Sequence, residues 1–210
     1  IWRHGNARFP HDELPPELAT PGVCKYIRNA FRSQTRRNPC RILVEKTCAN
    51  SLRVDFVDRV VPEARYLFIV RDGRDVVASA MQRWTAPFEL MYTLRKARFV
   101  PVEDLGYYVM RYAAHRAFRL FSPEKRLKSW GPRWEGMQAL LATASLDEIC
   151  ATQWARSVAT SERQLEKRAE RVLKLRYEAV ARQPGEELTR IAEFLSIEAD
   201  PATLKRATQG

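Results

Sequence analysis

The five residues Tyr66 to Val70 read YLFIV and lead directly into Arg71-Asp72-Gly73. An apolar run this short, closed by an Asp-Gly turn, is the pattern of a strand buried on both faces. A helix from about Arg74 to Trp84 follows at once, with Asp72 placed to cap it and Asp75 three residues on, as in a capping box. A strand covered on both faces needs helices on both sides of its sheet, so this one segment commits the chain to an α/β architecture. Two more short apolar runs fit beside it. Arg41 to Glu45 (RILVE) and Val172 to Arg176 (VLKLR) are predicted to be further strands of a mostly parallel sheet flanked by helices.

The helices are read from periodicity. Val23 to Arg37 carries Val23, Tyr26, Ile27, Ala30 and Phe31 at helical spacing, and Asn38-Pro39 ends it. Ser51 to Val61 is predicted helical, with Ser51 as a cap and Pro62 as the stop. Ser145 with Glu148 reads as a capping box for a long helix whose apolar stripe is Leu146, Ile149, Cys150, Trp154, Val158 and Leu165. A short amphipathic helix lies within Pro184 to Ile197. Residues 1–21 hold four prolines and read as irregular. Residues 85–145 break the alternation of strand and helix: they mix aromatics with arginines and then give the Gly/Pro/Trp-rich stretch Lys128 to Gly136. They are expected to form a helical insertion, with loops, in a single domain spanning 1–210.

Lys and Arg number 36 against 25 Asp and Glu, a net charge of +11, which favours anionic partners or serves general solubility. No apolar run approaches the ~20 residues of a membrane span, and no signal-peptide pattern opens the chain, so a cytoplasmic location is expected. The cysteines at 24, 40, 48 and 150 form no CxxC and have no nearby His at metal-ligand spacing, so zinc is not expected and free thiols are.

Ligands of open α/β sheets bind beyond the carboxyl ends of the strands. Those ends carry Lys46-Thr47, Arg71-Asp72-Gly73-Arg74 and Tyr177-Glu178. Arg71 follows its strand directly, while Asp75, Ser79 and Arg83 share a helix face at i, i+4 and i+8. Two guanidiniums and a hydroxyl converging on one spot suit a phosphate, whereas a surface ion pair of Arg71 with Asp72 or Asp75 is the plainer alternative. Glu45 and Lys46 set an acid beside a base, either for proton removal and charge stabilisation or as a neighbouring ion pair. Tyr177 either stacks on a base or caps the core.

The run EKTCANSLRVDFVDRVVPEARYLFIVRDGRDVVASAMQRW, residues 45–84, resembles the central part of the sulfotransferases that use 3′-phosphoadenosine-5′-phosphosulfate (PAPS). The strand-RDGRD-helix-Ser pattern is similar to their 3′-phosphate motif. VLKLRYEAVARQPGEELTRIAEFLSI, residues 172–197, resembles the family's strand-RYEDL-Pro-helix segment, and the two blocks come in the family's order. The resemblance implies a P-loop NTPase-like fold and transfer of a sulfuryl group from PAPS to a hydroxyl or amine, with release of adenosine 3′,5′-bisphosphate. The acceptor would be a small molecule, a carbohydrate or a peptide, with no nucleic acid and no membrane span. It implies that Arg71, Ser79 and Arg83 hold the 3′-phosphate and that Tyr177 lies near the adenine. It also implies that Lys46 faces the transferring group and that Glu45 is the base. No metal is required by this scheme.

The chain departs from the family pattern at Cys48, where Pro is usual, and at Ala179-Val180, where RYEDL has Asp and Leu. No PRSGTT-type loop for the 5′-phosphosulfate is present, so an initial strand-loop-helix unit is expected to be absent from the sequence, and activity is expected only with it restored. In relatives whose base lies early in the chain, Arg3 and His4 would line the acceptor side. Residues 92–136, which follow the 3′-phosphate helix, either form an acceptor wall, their Arg and Lys suiting an anionic acceptor and their aromatics, Trp130 and Trp134 among them, a sugar face or an apolar alcohol, or make a helical hairpin whose aromatics pack inward and whose charges are solvated. The rival reading is a basic nucleic-acid-binding α/β domain without catalysis, suggested by the charge and by the Arg/aromatic segment 107–121. A P-loop kinase would need GxxxxGK(S/T), which the chain lacks.

Overall fold

The computed structural model describes residues 1–85, 110 and 130–198. The proline-rich start forms turns, including a 3-10 turn at Pro16–Leu18. Thr20 then caps helix α1 (Pro21–Arg37), its hydroxyl accepting from the Val23 amide, with Pro21 in the first turn where a missing N–H costs nothing. A 3-10 turn at Cys48–Leu52 leads into α2 (Val54–Val60), so Ser51 lies inside that turn and does not cap the helix. Strand β1 (Tyr66–Val70) runs into α3 (Gly73–Thr85). Later come α4 (Met137–Thr143), α5 (Leu146–Leu165), a 3-10 turn at Glu166–Arg171, β2 (Val172–Arg176), α6 (Tyr177–Arg182) and α7 (Pro184–Leu195).

β1 and β2 pair in parallel, Tyr66 opposite Val172 and Val70 opposite Arg176. Both strands therefore point their carboxyl ends to the same edge, and β1 leads into α3 there as β2 leads into α6. The chain is helix-rich α/β with a small parallel sheet. The expected strand at Arg41 to Glu45 does not form. Among the described residues the sheet has only β1 and β2, and an apolar pentapeptide becomes a strand only where a neighbour completes its ladder. Here Ile42, Leu43 and Val44 lie exposed, Val44 at 75%. Of the expected insertion, residues 86–109 and 111–129 lie outside the described residues; its end forms α4 and the loop before it.

Two apolar clusters hold these elements. Ile27 of α1 meets Phe56, Val57 and Val60 of α2, with Trp2, Leu14 and Ala19 closing the cluster. Ala80 and Trp84 of α3 meet Ile149 and Cys150 of α5, with Leu52, Trp134 and Met137. Each of the Val, Leu, Ile, Phe and Met side chains among them contributes roughly 1.5–3 kcal/mol when fully buried. The α5 stripe falls where the periodicity placed it, but Gln153 and Ser161 are buried on it too. Both are satisfied: Gln153 donates to the Trp130 and Pro132 carbonyls at 2.8 Å each, and Ser161 donates to the Ser51 carbonyl at 2.9 Å. At the head of α5, Ser145 makes no cap bond to the helix amides; its hydroxyl bonds Asp147 instead, holding that carboxyl below its usual range.

A charged knot ties α2 to the approach to β2. Asp58 accepts from Tyr66 Oη at 3.0 Å and from Arg171 at 2.9 Å, and Arg168 Nε lies 2.8 Å from its other oxygen. Burial pushes the Asp58 carboxyl up, but the bonds from Arg168, Arg171 and Tyr66 outweigh it and hold the carboxyl below its usual value. A depressed native value means stability present above the unfolded carboxylate range and lost as pH falls through the native one. Asp58→Asn is therefore expected to lower unfolding free energy by about 1–3 kcal/mol at pH 7, and by less at pH 3, where the parent's Asp58 takes up its proton. Urea denaturation at the two pH values measures this, and an equal loss at both would contradict the assignment.

Candidate functional site

The turn between β1 and α3 is fixed from several sides. Asp72 caps α3, accepting from the Arg74 amide at 2.9 Å and from the Arg74 guanidinium at 2.9 and 3.1 Å. Those bonds, the Arg74 side chain first, bring the Asp72 carboxyl down to about 2. Asp75 does not complete a capping box; it turns to Arg71 at 3.4 Å. Glu178, from the first turn of α6, accepts from the Asp72 amide at 2.7 Å, and that bond is the main cause holding its carboxyl below its usual value. Trp154 of α5 donates its indole N–H to the Arg71 carbonyl at 3.2 Å. The Trp154 ring also fills the place a side chain on Gly73 would need, since a Cβ there would sit 3.0 Å from the ring carbons.

Arg71 is thus carried at the strand tip on a braced turn. Its guanidinium lies over the Tyr177 ring, 4.7 Å from the centroid. Its Nε is buried and has no hydrogen-bond partner among the described residues. Among the described residues the only carboxylate paired with it, Asp75, is more than half exposed and 3.4 Å away, a weak partner. An orphaned buried donor beside a loosely paired guanidinium is an arrangement an anion completes.

A cavity of about 330 Å³ opens beside this turn. Arg71 and Ser79 line it from the strand tip and α3, Trp154 and Ser157 from α5, and Cys48 and Ser51 from the 3-10 turn that follows Glu45 and Lys46. Trp130 and Cys150 also reach it. Burial, with the Asp147 charge, pushes the Cys150 thiol up to about 11, so it stays protonated at neutral pH and is no nucleophile there. All four cysteines are free.

The expected site residues are only partly brought together. Arg71 and Ser79 share the cavity, and Tyr177 touches Arg71. Arg83 lies one helical turn past Ser79, exposed, and does not line the cavity. Neither Arg83 nor Ser79 has a side-chain partner among the described residues. Glu45 and Lys46 stand on exposed, irregular chain just before the cavity wall. They do not pair with each other: Glu45 accepts from Thr47 Oγ1 at 2.5 Å and Asn50 Nδ2 at 2.8 Å. Arg3 and His4 both have partners within the fold. Arg3 is bound to Asp12 and to the carbonyls of Ala7, Phe9 and His11, and His4 stacks on Tyr26 at 3.5 Å. Arg133 is likewise tied to Pro10 and Asp12, while Trp130 does face the cavity. Sequence reading missed Glu178 and Trp154 as braces. Trp154 sat in an apolar stripe, where its N–H gave no separate signal.

A sequence model described as the sulfotransferase family matches residues 4–129, more than half of the chain. The matched region holds Glu45, Lys46, Arg71, Ser79 and Arg83 and stops short of Tyr177. Comparison with curated proteins and with solved structures gives no match.

Proposed function

This chain belongs to the sulfotransferase family, a family of sulfuryl-transferring enzymes, and on that premise we propose that its donor is PAPS, bound at the strand tips of β1 and β2. Arg71 and Ser79, with Arg83 further along α3, would take the 3′-phosphate, and Tyr177 would lie near the adenine. The observation that carries this reading is the orphaned Nε of Arg71, buried at the tip of β1 on the rim of a cavity that Ser79 also lines. Fork-shaped guanidinium donors suit a dianionic phosphate better than a lone carboxylate neighbour does.

The reaction would be an in-line displacement at sulfur. The bond from sulfur to the bridging oxygen of the donor breaks, a bond from sulfur to an acceptor oxygen or nitrogen forms, and the acceptor's proton passes to a base. Lys46 would meet the negative charge growing on the bridging oxygen, and Glu45 would take the proton. As in phosphoryl transfer, positioning and electrostatics supply most of the acceleration. Among the described residues no helix is long and apolar enough to cross a membrane.

The test is nucleotide binding. Calorimetry is expected to show adenosine 3′,5′-bisphosphate binding more tightly than adenosine 5′-phosphate; equal affinities would refute a 3′-phosphate site. Ser79→Ala, which removes one neutral donor, is expected to cost about 0.5–1.5 kcal/mol of that preference.

A further inference from the structure

We propose that Trp154 and Glu178 are positioning residues of the β1–α3 turn: from two separate helices they fix its backbone so that Arg71 meets an anion with its geometry already set. The inference rests on reading that turn as the 3′-phosphate site. Three consecutive residues are held at three different points. Trp154 binds the carbonyl of Arg71, Glu178 binds the amide of Asp72, and the Trp154 ring packs where Gly73 has no side chain. The braces come from α5 and α6, 83 and 106 residues along the chain from the groups they hold. A turn tied in this way has already lost the freedom that ligand binding would otherwise remove, which raises affinity without any new ligand contact.

Glu178 makes the case sharper. A carboxylate near an anionic ligand repels it, so Glu178 aids binding only through the amide it holds. Its second oxygen is buried with no hydrogen bond, so its orientation is set by the bond from the Asp72 amide, by its own backbone amide, and by Arg176, 3.7 Å away.

The experiment measures dissociation constants of the full chain for adenosine 3′,5′-bisphosphate and adenosine 5′-phosphate, with folding checked by circular dichroism and Arg71→Ala as the control. Trp154→Phe keeps a ring against Gly73 and removes the N–H. Glu178→Leu removes the acceptor, and Glu178→Gln restores an acceptor oxygen without the charge. Trp154→Phe and Glu178→Leu are each expected to weaken the bisphosphate by roughly 3–10-fold, the range of one lost hydrogen bond, and the monophosphate by less than about twofold. Glu178→Gln is expected to bind the bisphosphate as well as the parent or better. The two braces lie on different helices, so a folding failure of one variant leaves the other as the test.

Parent-like bisphosphate binding by Trp154→Phe and Glu178→Leu, with Arg71→Ala impaired, overturns the braces and spares the 3′-phosphate reading. Equal losses for both nucleotides, or a Glu178→Gln variant as poor as Glu178→Leu, also overturn them. An unimpaired Arg71→Ala removes the reading and the inference together.

Discussion

Replacing Arg71 with Ala is expected to weaken adenosine 3′,5′-bisphosphate binding by ~2–5 kcal/mol, because a phosphate loses a charged partner in a partly desolvated setting. The fold should hardly notice. Arg71's ion pair with Asp75 is long and exposed, a class worth 0–1 kcal/mol, and its aromatic contact with Tyr177 is of similar size. Affinity and stability therefore separate in this variant, and calorimetry can be read without correction for unfolding. Arg71→Lys should fall between parent and Ala, since it keeps the charge but lacks the fork and the Nε that stands unpartnered. Adenosine 5′-phosphate should bind nearly unchanged to all three. A loss shared equally by the two nucleotides would mean that Arg71 supports the site as a whole and does not contact the 3′-phosphate.

What could be read from residue order, and what could not, divides along physical lines. YLFIV-RDG was legible because a buried strand, an Asp-Gly turn and a helix start are each local, and all three agree. The same holds for VLKLR, which pairs with it in register. RILVE also read locally as a strand and forms none, because a strand needs a neighbour and the two paired strands are elsewhere. The Asp72 cap was legible, and so was the ion pair of Asp75 with Arg71, read as the plainer alternative; the capping box expected of Asp75 does not form, since Arg71 four residues back competes for it. Arg71 and Ser79 could be placed together from helical spacing, and they do share a cavity. Glu178 could be placed at the same sheet edge, but its bond to the Asp72 amide and the reach of Trp154 to the Arg71 carbonyl could not be read, because nothing local records a contact across 106 or 83 residues. The pairing of Arg3 and Arg133 was not legible for the same reason: as letters they are cationic surface, and in space both converge on the buried carboxylate of Asp12.

The two residues that precede the cavity wall should respond differently to replacement. Lys46→Ala is expected to cut turnover by ~10²–10³ with a smaller change in donor affinity, the signature of a group acting on charge that exists only in the transition state. Lys46 is available for this: it is exposed, has no side-chain partner among the described residues, and is not neutralised by the carboxylate beside it. Glu45 is differently placed. Thr47 and Asn50 each donate to one of its oxygens, so the carboxylate is oriented but keeps further lone pairs for an acceptor proton. If it is the base, Glu45→Gln keeps the bond to Asn50 and the shape of the turn, lowers turnover, and removes the acidic limb of the pH–rate profile. Steady-state rates against pH for both variants decide the assignment. A Glu45→Gln enzyme of near-parental rate and unaltered pH profile, beside an inactive Lys46→Ala, would leave Lys46 in its role and move the base to another carboxylate. Glu45 would then be the residue that holds the 47–50 turn against the cavity wall.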